Sequence, residues 1–281
     1  MNRFFFSDSS GLIKNDRFFG IGLLSVENVG LTTALLETNY QMAYTAQKNN
    51  KNTAIDYLIK SSREDEVIKI LKKNRCFEMK FDYLSQSSLP FYQRMLNIFL
   101  NNKNNRFSAM VIDRQHPSFD GRFIQDTWDS FINYLTSLIL REMSNLQEDK
   151  FCFIVDEITK PKTKMLSFEN ALLEKIKSKI PSYNYKTGSS IKFENIFGIL
   201  SIKSNSNHLL QLVDVLIGSV MYDFKKKVGL TSEKVENKKE ILVQEIRTTL
   251  GVADLAHDLT KHSPVYFSVF EAKWKKDEKT P

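Results

Sequence analysis

Apolar and polar positions along this chain change period several times, and each change marks a new element. Arg3 to Ser7 reads as a short apolar strand. A turn through Gly11 and Asn15 follows, and then a second apolar run, "RFFGIGLLSV", ends near Val26. Two such runs around a polar turn predict a hairpin. From Leu31 to Asn74 the spacing becomes helical, with Leu58, Ile59, Val67, Ile68, Ile70 and Leu71 recurring along amphipathic segments. "CFEMKF" reads as a short strand, "LPFYQRMLNIFLNN" as a helix with proline in its first turn, and "RFSAMVID" (Arg106 to Asp113) as a strand. Strands and helices then alternate. Phe123 to Leu146 is helical, "KFCFIVDE" is a buried strand, and Phe168 to Ile180 is helical again. "SIKFENIFGILSIKS" gives one or two strands, and "HLLQLVDVLIGSVMYDFKKK" gives an apolar helix. A Lys/Glu-rich helix spans Ser232 to Leu250, and "VYFSVF" is an alternating strand before a basic end. A hairpin followed by such alternation predicts an α/β fold, a mixed β-sheet with helices on both faces. No repeat or long linker divides the chain, so residues 1–272 are expected to form a single domain with a helical insertion around 31–74, followed by a basic tail at 273–281.

Composition supports folding but says little about function. With 281 residues, 42% of them hydrophobic and 21 phenylalanine, the chain can bury a substantial core. No apolar stretch reaches membrane-spanning length, and Asp8 interrupts the N-terminal one too early for a signal peptide, which gives a cytoplasmic expectation. Cys76 and Cys152 lack metal-ligand spacing and read as buried reduced thiols, without disulfide or zinc. The net charge of +7 permits a nucleic-acid partner without demanding one. "QKNNKNT" and "NNKNNR" read as solvated loops because no aromatics interleave with their cations. The lysines of "FKKKVG" read as complementing a helix C-terminus.

The candidate chemistry lies in carboxylates. Asp8 and Asp156 each end an apolar strand, which would set both at the carboxyl edge of a sheet. Asp214 interrupts an apolar helix, where an unpartnered carboxylate is costly. Singly, a turn former explains each strand-end aspartate and a salt bridge explains Asp214. Together the three suggest a hard-cation site of oxygen ligands. His116, before a proline, and His208, at a helix start, carry no assignment. His257 and His262 are five apart and do not share a helix face.

"FFFSDSSG", "EMKF" with Glu78 and Lys80, "FCFIVDE", "LLQLVDVLIGSV" and "FSVFEAKW", in that order, resemble the domain-of-unknown-function family numbered three thousand eight hundred. Its members typically open with a strand ending Asp-Glu-Ser-Gly and later show Glu-x-Lys-Trp, a hydrophobic strand ending in Asp, and a helix with Leu-Gln-x-x-Asp. The resemblance spans nearly the whole chain and implies a ribonuclease H-like fold with a nuclease-type site. It implies Asp8, Asp156 and Asp214 as metal-binding acids, Glu78 as a fourth, Lys80 beside them, and Mg²⁺ or Mn²⁺ as cofactor. Two ions about 4 Å apart would activate water and stabilise the phosphate being cleaved, with Asp8 bridging them. The chain departs from the pattern at Ser9, where the family has glutamate, and at Phe81, where it has tryptophan. Glu157 follows Asp156 but would point to the other sheet face unless a turn begins there.

The expected function is therefore a divalent-metal-dependent nuclease acting on DNA or RNA, in bacterial defence or mobile elements by family context. A protein partner or homo-oligomer is compatible with it. Ser9 favours the alternative of a catalytically impaired module that binds nucleic acid or protein. A third reading compares "FFFSDSSGLI" with haloacid-dehalogenase-type phosphatases, in which one acid attacks phosphorus and a second protonates the leaving group. Ser10 cannot supply that proton, and a large separation of Asp8 from Asp214 would favour this reading.

Overall fold

A computed structural model describes residues 1–11, 16–72, 77–116, 127–146, 149–231 and 233–272. Strands β1 (Asn2–Ser10), β2 (Phe18–Ser25) and β3 (Arg106–Asp113) form an antiparallel meander, with helices α1 (Val29–Lys60), α2 (Glu64–Lys72) and α3 (Leu89–Leu100) between β2 and β3. The chain continues through α4 (Thr127–Asn145), β4 (Lys150–Asp156), α5 (Phe168–Thr187), β5 (Ile196–Ile202), α6 (His208–Lys227) and α7 (Glu233–Leu250). It closes with β6 (Leu259–Lys261) and β7 (Tyr266–Glu271). The seven strands make one mixed sheet in the order β5-β4-β1-β2-β3-β7-β6. β4 runs parallel to β1, β5 to β4, and β7 to β3, while β6 is antiparallel to β7.

The period of two along the strands divides the core. Phe5 joins Ile21, Leu23, Phe151 and Phe153 on the face covered by α4 and α5. Phe6 joins Leu24, Phe107 and Val111 on the face covered by α1, α3, α6 and α7. The mixed α/β layering expected from the sequence is thus present, with helices on both faces. Asp223 fixes α7 to α6 by accepting from Arg247 Nε at 3.0 Å. Among the described residues no helix is long and apolar enough to cross a membrane.

Several elements differ from the sequence reading. β1 continues past Ser7 to Ser10, because Ser9 and Ser10 still pair with Ile21 and Gly20 of β2. "CFEMKF" forms no strand over Phe77–Lys80: the backbone N–H groups of Met79 and Phe81 donate to side chains on α6 instead of to a ladder. Residues of "QKNNKNT" lie within α1, not in a loop. α5 carries Pro181 in its interior and runs on to Thr187, ending at Gly188 in the left-handed conformation. The region 193–202 is one strand after a short 3-10 turn. Short strand β6 was hidden by its polar composition. Cys152 is buried, and burial pushes its thiol above its ordinary pKa. Cys76, the first turn of the helix expected from Phe123, the turn at Asn15 and the basic tail lie outside the described residues.

Candidate metal centre

Strand register alone brings two of the acids side by side. Phe6 pairs with Ile154 and Ser7 with Val155 in the parallel β1–β4 ladder, so the next step sets Asp8 against Asp156. Both side chains leave the sheet on the α6 side, since Phe6 and Ile154, two residues earlier, pack in that core. The third acid arrives on α6, which lies across β1 and β2. Gly22, the β2 partner of Asp8, permits this approach: a Cβ there would stand 3.0 Å from Val213 Cγ1. Asp8, Asp156, Asp214 and Lys80 consequently line one pocket of about 590 Å³, with Ser9, Gly218 and Lys225 among its other walls.

Backbone donors orient each carboxylate. Asp8 Oδ1 accepts from Ser9 N–H at 2.7 Å. Asp156 Oδ1 accepts from Ser204 N–H at 2.8 Å and Glu157 N–H at 3.0 Å, so the turn-forming role foreseen for it coexists with its place in the pocket. Asp214 Oδ1 accepts from Phe81 N–H at 2.7 Å. The segment carrying Lys80 is held at further points. Gln211, fully buried one turn before Asp214, accepts from Met79 N–H at 3.0 Å and donates to the Ser204 carbonyl at 3.3 Å. The Tyr92 hydroxyl donates to the Lys80 carbonyl at 2.7 Å. A Cβ on Gly218 would lie 2.5 Å from Phe81 Cβ, so only glycine lets this segment close on α6.

Crowded anions in a poorly solvated place resist ionisation. Burial, then the charges of Asp214 and Asp156, hold the Asp8 carboxyl well above the usual range, against the opposing pull of Ser9 N–H and Lys80. Burial pushes Asp214 up to about 6, offset by Phe81 N–H and Lys80, with Asp82 and Asp156 adding to the rise. Asp156 is raised by burial, with Ser204 N–H and Lys80 opposing. Lys80 would be lowered by burial, but Glu78, Asp214 and Asp8 outweigh this and hold it above its ordinary value. The pocket is therefore short of positive charge.

Glu78 stands apart from the three aspartates. It lines a neighbouring cleft and reaches this pocket through its ion pair with Lys80, Nζ to Oε2 at 3.3 Å. Glu157 is exposed, with its carboxylate 4.0 Å from Lys203 Nζ. His208 pairs with Glu37 and lies at a tilt against Tyr40 at 4.5 Å between ring centroids, which ties α1 to α6. Sequence reasoning assigned no role to Gln211, Ser204, Tyr92 or Gly218, and read Lys225 only as complementing a helix C-terminus. Gln211 carried a readable signal, as a polar residue three before Asp214 on an apolar helix.

The donor set suits a hard cation. Three carboxylates from three elements line one pocket together with Lys80, Lys225 and Lys239. Among the described residues no group of three His, Cys, Asp or Glu side chains is close enough together to hold a metal ion by itself. An open set is what magnesium sites commonly use, since the ion keeps several waters and takes one or two carboxylates together with substrate phosphate oxygens. No protein-family model matches the chain, and no curated protein matches it significantly.

Proposed function

We propose that this protein is a divalent-metal-dependent nuclease built on a ribonuclease H-like fold. The observation that carries the reading is the gathering of Asp8, Asp156 and Asp214, from two strands and a helix far apart in sequence, into one pocket with Lys80 where all three carboxyls are pushed up. The topology supports it: a three-strand meander extended in parallel by β4 and β5 on the β1 side, with the acids at one sheet edge. Membership of the family of unknown function named above belongs to the same proposal. Two of its motifs meet in space, for Gln211 and Asp214 of "LQLVD" bind the backbone of the "EMKF" segment at Met79 and Phe81.

Asp8, Asp156 and Asp214 would hold Mg²⁺ or Mn²⁺, and such an ion, once bound, lowers the pKa of its water and neutralises charge on the phosphate. The protein's own contribution is positioning. Lys80, on the pocket wall and ion-paired with Glu78, would pair with a phosphate oxygen. Gln211 and Tyr92 fix the backbone on either side of it, so its ammonium is preorganised. Ser9 lies on the rim where a family glutamate would add a carboxylate, and its hydroxyl leaves the cation count to three acids. Because Asp8 and Asp214 share one pocket, the separation that would have favoured the phosphatase reading is not observed.

The test is cleavage of labelled single-stranded and duplex DNA and RNA with Mg²⁺ or Mn²⁺, compared with chelator and with Asp8→Asn. Metal-dependent cutting that vanishes in the variant is expected. Tight nucleic-acid binding without cutting on any substrate, unrescued by Ser9→Glu, would overturn the nuclease in favour of the binding module.

A further inference from the structure

Beside the carboxylate pocket lies a larger cleft of about 950 Å³ between α1 and the residues leading into α3. The segment Phe77–Tyr83 forms the edge between the two: Phe77, Glu78 and Tyr83 line the cleft, while Lys80, Phe81 and Asp82 line the pocket. On α1 the cleft receives Tyr44, Lys48 and Lys51, spaced four and three apart and therefore on one helix face. The cations and aromatics that looked separate in the sequence are thus interleaved in space, since Lys48 and Lys51 belong to the helical "QKNNKNT" stretch. Tyr44 and Tyr83 remain 43% and 52% exposed, although Tyr44 packs at a tilt near Phe77 at 5.9 Å between centroids. Phe91 and Tyr92 complete the aromatic lining, and among the described residues the cleft's one carboxylate, Glu78, is ion-paired with Lys80.

The geometry points to this cleft as the seat of an unpaired nucleic-acid strand that leads to the three aspartates. This rests on the nuclease reading for what happens next, but its own basis is separate. Rings with open faces next to lysines are the chemistry that holds single strands: bases stack on aromatics without regard to sequence while cations follow the phosphates. A duplex keeps its base faces stacked on one another and offers nothing to Tyr44 or Tyr83.

The experiment is fluorescence anisotropy in chelator, with the full chain and fluorescein-labelled oligo-dT and oligo-U of about a dozen nucleotides, within the span one binding module covers. A blunt duplex of equal length is the control. Both single strands are expected to bind at least ten-fold tighter than the duplex. Lys48→Glu/Lys51→Glu should weaken single-strand binding about ten-fold or more and flatten the slope of log K against log salt by about 1.4, the share of two phosphates. Tyr44→Ala/Tyr83→Ala should weaken it similarly but leave the slope unchanged, while Tyr44→Phe/Tyr83→Phe retains binding. Equal affinity for duplex, or wild-type affinity in both disrupted pairs, overturns the proposal. The two readings fail separately. If the binding pattern holds and no substrate is cut, the cleft stands and the nuclease falls; if cutting occurs and the cleft variants bind as wild type, the cleft alone falls.

Discussion

Removing the charge of Asp214 should stabilise the metal-free protein, and only where that charge exists. The carboxyl has a pKa of about 6 in the folded chain against an ordinary 3.8, so the folded state binds its proton more tightly than the unfolded state does. For such a group stability is highest below the unfolded value and declines as pH rises through the folded value, here from about 4 to about 6. Two pKa units correspond to about 3 kcal/mol, and since Asp214 is only partly buried a range of about 1 to 3 kcal/mol is expected. Asp214→Asn keeps an oxygen for Phe81 N–H and removes the charge. With an unfolding entropy of roughly 0.6 kcal/mol per degree for a chain of this size, the variant should melt about 2 to 5 °C higher near neutral pH in chelator. The gap should close at about pH 4, where both side chains are neutral. Mn²⁺ should raise the wild-type Tm more than the variant's. If Asp214 instead stabilises the fold as the partner of Lys80, the variant will melt lower at neutral pH, and that result would refute the reasoning.

Other perturbations read the supports of the pocket. Gly218→Ala forces Phe81 away from α6 and should cost about 1 to 3 kcal/mol by overpacking, with a loss of cleavage that persists at temperatures where circular dichroism shows the variant folded. Gln211→Leu leaves Met79 N–H buried without its acceptor, a loss of about 1 to 3 kcal/mol in denaturant titration, and should lower kcat more than Asn at the same position does. Lys80→Met removes the cation that eases ionisation of all three aspartates, so the pH midpoint of Mn²⁺ binding should move upward; an unchanged midpoint would show that Lys80 is too far to matter. Ser9→Glu should tighten Mn²⁺ binding and speed cleavage, and a slower enzyme would place that side chain outside the ligand set.

The strands other than β6 were legible because their apolar runs are short and bounded, and with them came the alternation that makes the α/β sheet. Asp8 and Asp156 were legible for the same reason, since each follows an apolar run and parallel pairing of β1 with β4 sets them side by side, although β1 itself continues past Asp8 to Ser10. What the sequence hid was set by tertiary bonds. "CFEMKF" has the composition of a strand, but its N–H groups are claimed by Gln211 and Asp214, a partnership across more than a hundred residues that no local pattern encodes. The helix expected over Phe168 to Ile180 runs on through Pro181 to Thr187, although proline lacks the interior donor. The cleft was invisible for a different reason: Tyr44 and Lys48 share a face only if "QKNNKNT" is helical, and the lack of aromatics within that stretch had made it read as a solvated loop.

The energetics of the acid cluster bear on function as well as on stability. A fold selected for stability alone gains nothing from three carboxyls that burial and mutual repulsion all push upward, because apolar side chains of similar size would fill the same space without that cost. Lys80 offsets only part of the charge and spends part of its own on Glu78. Yet the surrounding structure is arranged to keep the acids in place: the Phe81, Ser9 and Ser204 N–H groups donate to them, Gly218 clears room for the segment that supplies one of those donors, and buried Gln211 ties that segment to the Ser204 turn that supplies another. Preorganised anions held against their own repulsion constitute a stored affinity for positive charge. A bound divalent cation would release it, which is why chelator should lower the Tm of the wild type and leave Asp214→Asn less affected.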